Sequence, residues 1–410
     1  MLDLLKLILI LGLTVFLLVR KWDLGLVLLL DTVLVAVLYL YPPLAFLVSI
    51  WRGAIAPATL ELAGAVFLVL LLAELLHRTR SMERMVSALQ RVIPDSRIVL
   101  AMIPAMIGLM PMLGGAMFSA PMVNGVGSRL KISAERKTFV NYWFRHTMEY
   151  VFPLYSSLLM IAALLGITPY AFVRVSYPLS LGAIAGGIVG GLLGIPRGQV
   201  DEHDRTARSL WKDGWRELLL STWPLLLVIL LVIALGLPML PSLGAAIVLF
   251  MLVDRIGPGQ WLDIVKRSFP LRTFSAIWGV MIFKQVVEDV GAVQSIPDAL
   301  SGLGLSPLLV AFLVTHLSGL LTGTAAAAMA LTVPLVAPLM DTLGIDHVVG
   351  GVWMFVGAFS GVMLSPLHLC LALTRAYFGA NWGRLYLTIV PATALVVAVA
   401  VAIVFWGGKA

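Results

Sequence analysis

Arg145, His146 and Glu149 stand within five positions of one another, inside an apolar stretch and just upstream of Pro153. A guanidinium there could meet a substrate carboxylate or phosphate in a charge-assisted pair, while the imidazole or the carboxyl could take a proton. A structural role is equally open. Arg145 and Glu149 are spaced i, i+4, so on a continuous helix they would neutralise each other. Counted from Lys137 at about 1.5 Å per residue, the trio falls near the middle of a bilayer, where charge is costly. Lys284 and Glu288 repeat the i, i+4 spacing with no proline break nearby and read as a structural bridge. Asp31, alone in an apolar run, reads either as a proton site or as a group snorkelling against a neighbour. Glu74 reads as a boundary residue, and His316 as a packing histidine.

Two segments, 98–126 and 305–340, are apolar but interrupted by glycine, proline and small hydroxyl residues. The first carries Gly114, Gly115 and Ser119; the second carries Ser318, Thr322 and Thr324. Glycine lets a backbone approach closely, and Ser or Thr hydroxyls can coordinate Na⁺ or an anion, so a coupling Na⁺ is expected near Gly114, Thr322 and Thr324. The plain alternative is tight helix packing by small residues. Downstream of each segment a proline interrupts a span, Pro153 followed by Tyr155, Ser156 and Ser157, and Pro366 flanked by Ser365 and His368. Proline removes a helical hydrogen bond and breaks the helix. A broken span facing each interrupted segment would make a two-sided cage.

The elements that must hold these residues are membrane helices. The chain of 410 residues is 60% hydrophobic and 12% charged, with a mean hydropathy of +1.02, far from a soluble domain. Apolar runs of about 18 to 20 residues recur from end to end, and without alternating barrel strands helices are the way to satisfy the backbone in lipid. Leu2 to Val19 lacks a small-residue cleavage site and reads as a span, not a signal peptide. The net charge of +7 follows from Lys and Arg in loops between spans, so nucleic acid is not an expected partner. Cys370 is the one cysteine, which excludes a disulfide framework and a cysteine-based metal cluster.

Pro121 and Pro334 are 213 residues apart, as are Pro153 and Pro366. Shifting the chain by that offset overlays the apolar runs of the two halves, which marks an internal repeat. Basic residues flank the first interrupted segment on both sides (Arg78 to Arg97, then Arg129 to Lys137), while the stretches around the second contain no Lys or Arg. Each segment thus has both ends on one side, cytoplasmic for the first and external for the second. Such backbone is tolerated only where it is packed in protein or lines a cavity. Arg52 is the main exception to this charge pattern. The expected fold is all-α and polytopic: two inverted-topology repeats with about ten transmembrane helices and two re-entrant hairpins. The first repeat is 1–196, with hairpin 98–126 and broken helix 138–167. A cytoplasmic linker, 197–216, leads to the second repeat, 217–410, with hairpin 305–340 and broken helix 348–374. Both termini are expected outside and the location is the cell (inner) membrane. The linker cluster Asp201, Glu202, His203 and Asp204 reads as a solvated charged loop.

No Walker A, His-Glu-x-x-His or Gly-x-Ser-x-Gly motif occurs in a fitting context, so neither ATP-driven transport nor an enzyme is expected. The stretch Asn141 to Tyr150 with Phe152 to Tyr155, and the stretch Gly361 to Cys370, resemble the membrane family called domain of unknown function 401. That family is placed in the ion transporter superfamily with gluconate, citrate, dicarboxylate, arsenite and sodium/proton carriers. The resemblance implies an elevator-type homodimer with a mobile domain holding hairpins and broken helices. Dicarboxylate carriers use Ser-Asn-Thr triplets at the hairpin tips, where this chain has Gly114-Gly115-Ala116 and Thr322-Gly323-Thr324-Ala325. The Ala325 to Ala328 run also admits a more apolar solute. The expected function is secondary transport of a small organic anion coupled to Na⁺ or H⁺, with no other cofactor. A cation/proton antiporter is the alternative, and a lipid-handling protein or intramembrane enzyme a further one.

Overall fold

The computed structural model describes residues 2–109, 115–195, 208–269, 271–291 and 306–407. Among these the chain is helical, without a β-sheet. The first half runs α1 (Leu2–Val19), α2 (Leu24–Leu38), α3 (Pro43–Ile55), α4 (Pro57–Arg78), α5 (Ser81–Val92), α6 (Ser96–Gly108), α7 (Gly115–Arg129), α8 (Ala134–His146), α9 (Ser156–Leu165) and α10 (Pro169–Gly187). The second runs α11 (Arg208–Ile229), α12 (Met239–Val253), α13 (Pro258–Arg267), α14 (Leu271–Asp289), α15 (Pro307–Thr322), α16 (Ala325–Thr342), α17 (His347–Leu364), α18 (Leu369–Phe378) and α19 (Trp382–Gly407). The tip 110–114 and most of the linker, including Asp201 to Asp204, lie outside the described residues.

Local signals explain where the helices start, and they recur with the offset of 213 seen in the prolines. Ser133 caps α8 by accepting from the Arg136 amide, and Asp346 caps α17 by accepting from the Val348 amide. Thr168 caps α10, and the Asn381 side chain accepts from the Arg384 amide at the start of α19. Gly166 and Gly379 end α9 and α18 at φ +66° and +68°, a conformation that suits glycine.

Packing pairs the halves reciprocally. α7 packs on α18 while α16 packs on α9, and α2 packs on α14 while α12 packs on α4. α8 and α17 occupy the centre: from Thr138 to His146 and from Val349 to Met363 every residue is buried. Gly319 of α15 lies against the Ala358 carbonyl, and Gly361 of α17 against the His316 carbonyl, so these two helices touch backbone to backbone. At Gly108 the end of α6 touches the Arg145 carbonyl in the same way.

Among the described residues, five helical stretches are long and apolar enough to cross a membrane: 57–78, 169–192, 212–234, 347–378 and 382–406. With its apolar exterior, this makes the chain a multi-pass α-helical membrane protein. Helices α6 and α7 have 13 and 15 residues, and α9 and α18 have 10 each. All four are shorter than the roughly 20 residues a full span requires.

Candidate functional site

Both central helices stop short of an elbow. α8 ends at His146 and the chain resumes as a helix at Ser156; α17 ends at Leu364 and resumes at Leu369. A helix end leaves its last carbonyls without intrahelical donors, and burial makes that costly. Side chains supply the missing donors. At the first elbow the Tyr142 carbonyl accepts from His146 Nδ1 at 2.7 Å, and the Phe144 carbonyl accepts from the Thr147 hydroxyl at 2.9 Å. At the second, the Tyr142 hydroxyl donates to the Met363 carbonyl at 3.1 Å, and the Tyr386 hydroxyl to the Leu364 carbonyl at 2.8 Å.

Each elbow also fastens the end of a neighbouring helix. The Tyr155 hydroxyl donates to the Gly108 carbonyl at the end of α6, and more weakly to the Arg145 carbonyl at 3.3 Å. At the equivalent place, 213 residues on, His368 Nδ1 meets the Gly323 carbonyl at 2.7 Å. Gly323 sits at φ +65° between α15 and α16, a left-handed turn that aims this carbonyl back at the elbow. Ser365 donates to the Leu320 carbonyl at 2.6 Å.

The elbows meet through side chains. His146 Nε2 lies 3.2 Å from His368 Nε2 and 3.8 Å from Glu149 Oε1. Ser157, buried, lies near Glu149. The ligand atoms of His146, His368 and Cys370 lie within 4.8 Å of one another, with Arg145 near the thiol. The Arg145 guanidinium lies flat against Gly115, leaving no room there for a Cβ. Asn141, one turn up α8, donates to the Ala116 carbonyl at 3.0 Å and to Thr374 at 3.2 Å, linking α7, α8 and α18.

Arg145, His146, Glu149, Tyr155 and His368 are therefore gathered, and Gly115 borders them. The i, i+4 register of Arg145 and Glu149 is lost because α8 stops at His146, and the Glu149 carboxyl instead comes within 3.8 Å of His146 Nε2. Ser156 is exposed, whereas its neighbour Ser157 is buried. Ser119 turns back onto the Gly115 and Ala116 carbonyls of its own helix. Ser318 is buried, its hydroxyl unpartnered among the described residues. Thr322 and Thr324 bond to each other across the second tip, with Thr324 exposed. Gly114 lies outside the described residues. Residue types alone did not single out Asn141, Tyr142 or Cys370; the 213-residue register, which places Cys370 opposite Ser157, was the available signal for the last.

Away from the elbows, Asp31 is buried and accepts from Thr14 at 2.6 Å. His316 meets Ser360 at 2.8 Å and stacks on Phe312, a packed histidine. Lys284 and Glu288 pair at 3.8 Å and Glu74 pairs with Arg78 at 3.0 Å. Outside the apolar spans, Arg78 and then Arg267 hold the Asp263 carboxyl below its ordinary value. An apolar groove of about 650 Å³ lined by Leu60, Phe67, Phe274 and Trp278 lies between α4 and α14, remote from the polar cluster.

The fold is similar to that of the YdaH transporter of Alcanivorax borkumensis, whose topology is described as unusual. The TM-score is 0.65 at 15% identity over 97% of this chain and 98% of that one. It is also similar to MtrF of Neisseria gonorrhoeae, which represents a class of antimetabolite efflux pumps, with a TM-score of 0.51 at 13% identity over 87% and 82%. At such identities the likeness establishes the fold alone. The chain itself belongs to the family described as protein of unknown function (DUF401), whose model matches residues 3–406. No curated protein matches its sequence.

Proposed function

We propose that this protein is a secondary active transporter that moves a small organic anion, coupled to Na⁺ or H⁺. One observation carries the reading: Arg145, His146, Glu149 and His368 converge where two interrupted helices meet their hairpin arms. Charged groups inside a membrane are retained at substrate and ion pathways, and broken helices supply the polar backbone such sites need. The guanidinium of Arg145 is the anion anchor. The short arms α6 and α7, and α15 with α16, fit re-entrant hairpins of opposite orientation, and the reciprocal packing of the halves fits two inverted repeats with about ten spans. The likeness to two transporters is consistent with this reading, in which the hairpins and elbows form the mobile part of an elevator-type homodimer in the cell membrane, both termini external.

The test is uptake into proteoliposomes across a panel of carboxylates and phosphates, with Na⁺ and pH gradients imposed separately. Loss of one charge-assisted pair, worth about 1.5 to 3 kcal/mol, should raise KM on the order of 10- to 100-fold in Arg145→Ala while the protein still folds. Uptake unchanged by that substitution would remove Arg145 from the site. A second reading, a cation/proton antiporter, is favoured by Asp31, a carboxylate buried between α1 and α2 with one oxygen unpartnered among the described residues. It would be supported if cation gradients drive proton flux with every anion silent and Asp31→Asn abolishes that flux.

A further inference from the structure

His146 and His368 face each other in a way that two neutral imidazoles do not choose. Each Nδ1 lies 2.7 Å from a backbone carbonyl, Tyr142 for one and Gly323 for the other. A carbonyl oxygen only accepts, so both Nδ1 atoms carry hydrogen and donate, and each neutral ring presents its Nε2 lone pair. Those lone pairs point at one another across 3.2 Å. Something electropositive belongs between them, and the choices are a shared proton or a metal ion.

The remaining side chains favour the metal. Cys370 brings its sulfur to the same point, within 4.8 Å of both nitrogens, and Glu149 places an oxygen 3.8 Å from His146 Nε2. A shared proton needs neither group. Two nitrogens each about 2.0 to 2.1 Å from a tetrahedral ion lie roughly 3.3 Å apart, close to the separation seen here. Nδ1–H donation to a carbonyl is also how metal-ligating histidines are held in tautomer and orientation. The two halves sharpen the point: where the first elbow has Tyr155 and Ser157, the second has His368 and Cys370. Oxygen donors are thus exchanged for nitrogen and sulfur at the positions that face His146. Arg145 near Cys370 opposes a cation, and the Glu149 carboxylate with a Cys370 thiolate offsets it.

We infer that His146, His368 and Cys370, with Glu149 as fourth donor, form a binding site for a borderline-soft divalent metal ion of the Zn²⁺ class where the two elbows meet. Nitrogen and sulfur donors together select such ions over Mg²⁺ or Ca²⁺. The inference uses the same cluster as the proposed function but does not rest on transport, because binding is read on purified protein without vesicles.

The experiment is titration of tag-free, full-length, chelator-treated protein in detergent with Co²⁺, followed by displacement with Zn²⁺. The expected result is one Co²⁺ per chain with visible ligand-field bands and a near-ultraviolet thiolate-to-cobalt band, both abolished by Zn²⁺. Cys370→Ser should lose the thiolate band, and His368→Gln should weaken binding by more than the roughly 10- to 100-fold typical of removing an outer-shell partner. His77→Gln, remote from the elbows, should leave both unchanged. Zn²⁺ should raise the melting temperature of the wild type and not of Cys370→Ser, which keeps the test decisive if His368→Gln does not fold. Absence of Co²⁺ binding would overturn the inference in favour of a shared proton. Binding that survives Cys370→Ser with its spectrum intact would overturn it equally.

Discussion

At the first elbow Tyr155 and Ser157 offer hydroxyl groups; at the second, 213 residues on, His368 and Cys370 offer nitrogen and sulfur. The backbone task is the same in both places, since Tyr155 fastens the Gly108 carbonyl and His368 the Gly323 carbonyl. The charge is not shared. Arg145, His146 and Glu149 of the first half have Ala358, Phe359 and Val362 as their counterparts in the second. The 213-residue correspondence therefore holds in the helix caps and elbow fastenings, and the polar cluster gathers where it departs. One half supplies the charges and the other supplies the groups that face them.

The comparison can be broken most strongly at the glycines that let α6 touch the end of α8 and α15 touch α17. A Cβ at Gly108 would meet the Arg145 carbonyl, and a Cβ at Gly319 the Ala358 carbonyl, which are equivalent partners in the two halves. Backbone cannot step aside as a side-chain tip can, so each Gly→Ala change should cost about 2 kcal/mol, overpacking outweighing the better helix propensity of alanine. Thermal unfolding in detergent reads this; a loss confined to one half would show that the two contacts are not packed alike.

A smaller effect is expected at the fastening itself. Tyr155→Phe keeps the ring and strips the hydroxyl, leaving the buried Gly108 carbonyl without this donor at a cost of about 1 to 2 kcal/mol. If the elbow positions the site, transport of the anion should fall with it, and KM should move more than the unfolding temperature. A variant as stable and as active as wild type would reduce the Tyr155–His368 correspondence to coincidence.

The smallest effect lies at the membrane edge, where pairing is exposed. The Asp263 carboxyl is held below its ordinary 3.8, first by Arg78 and then by Arg267. A carboxyl depressed in the folded state stabilises above its unfolded value and loses that contribution as pH falls through the folded value. Melting temperature should therefore fall slightly more with acid, below about pH 4, in wild type than in Asp263→Asn, and added salt should shrink the difference. An acid response as large as the elbow effects would mean that this pair is far less exposed than it is here.

The amino-acid sequence by itself determined the class of the protein. Its hydropathy left helices in lipid as the workable solution, and Pro121, Pro153, Pro334 and Pro366 fixed a register that the helix caps Ser133, Asp346, Thr168 and Asn381 follow. Caps and prolines act on neighbouring residues, so they can be read locally. Arg145, His146, Glu149 and His368 were legible as chemistry because charge and imidazole are rare in such runs. What the residues touch was not legible. The i, i+4 pairing of Arg145 with Glu149 assumed a continuous helix, and the elbow ended that helix first. Ser157 rather than Ser156 turned inward, a difference of one residue's rotation that spacing does not resolve. The contact between His146 and His368, with Cys370 beside it, joins positions 222 residues apart and arises only when two interrupted helices pack at the centre of the fold. Long-range packing decides such meetings, because it depends on every surface between them at once.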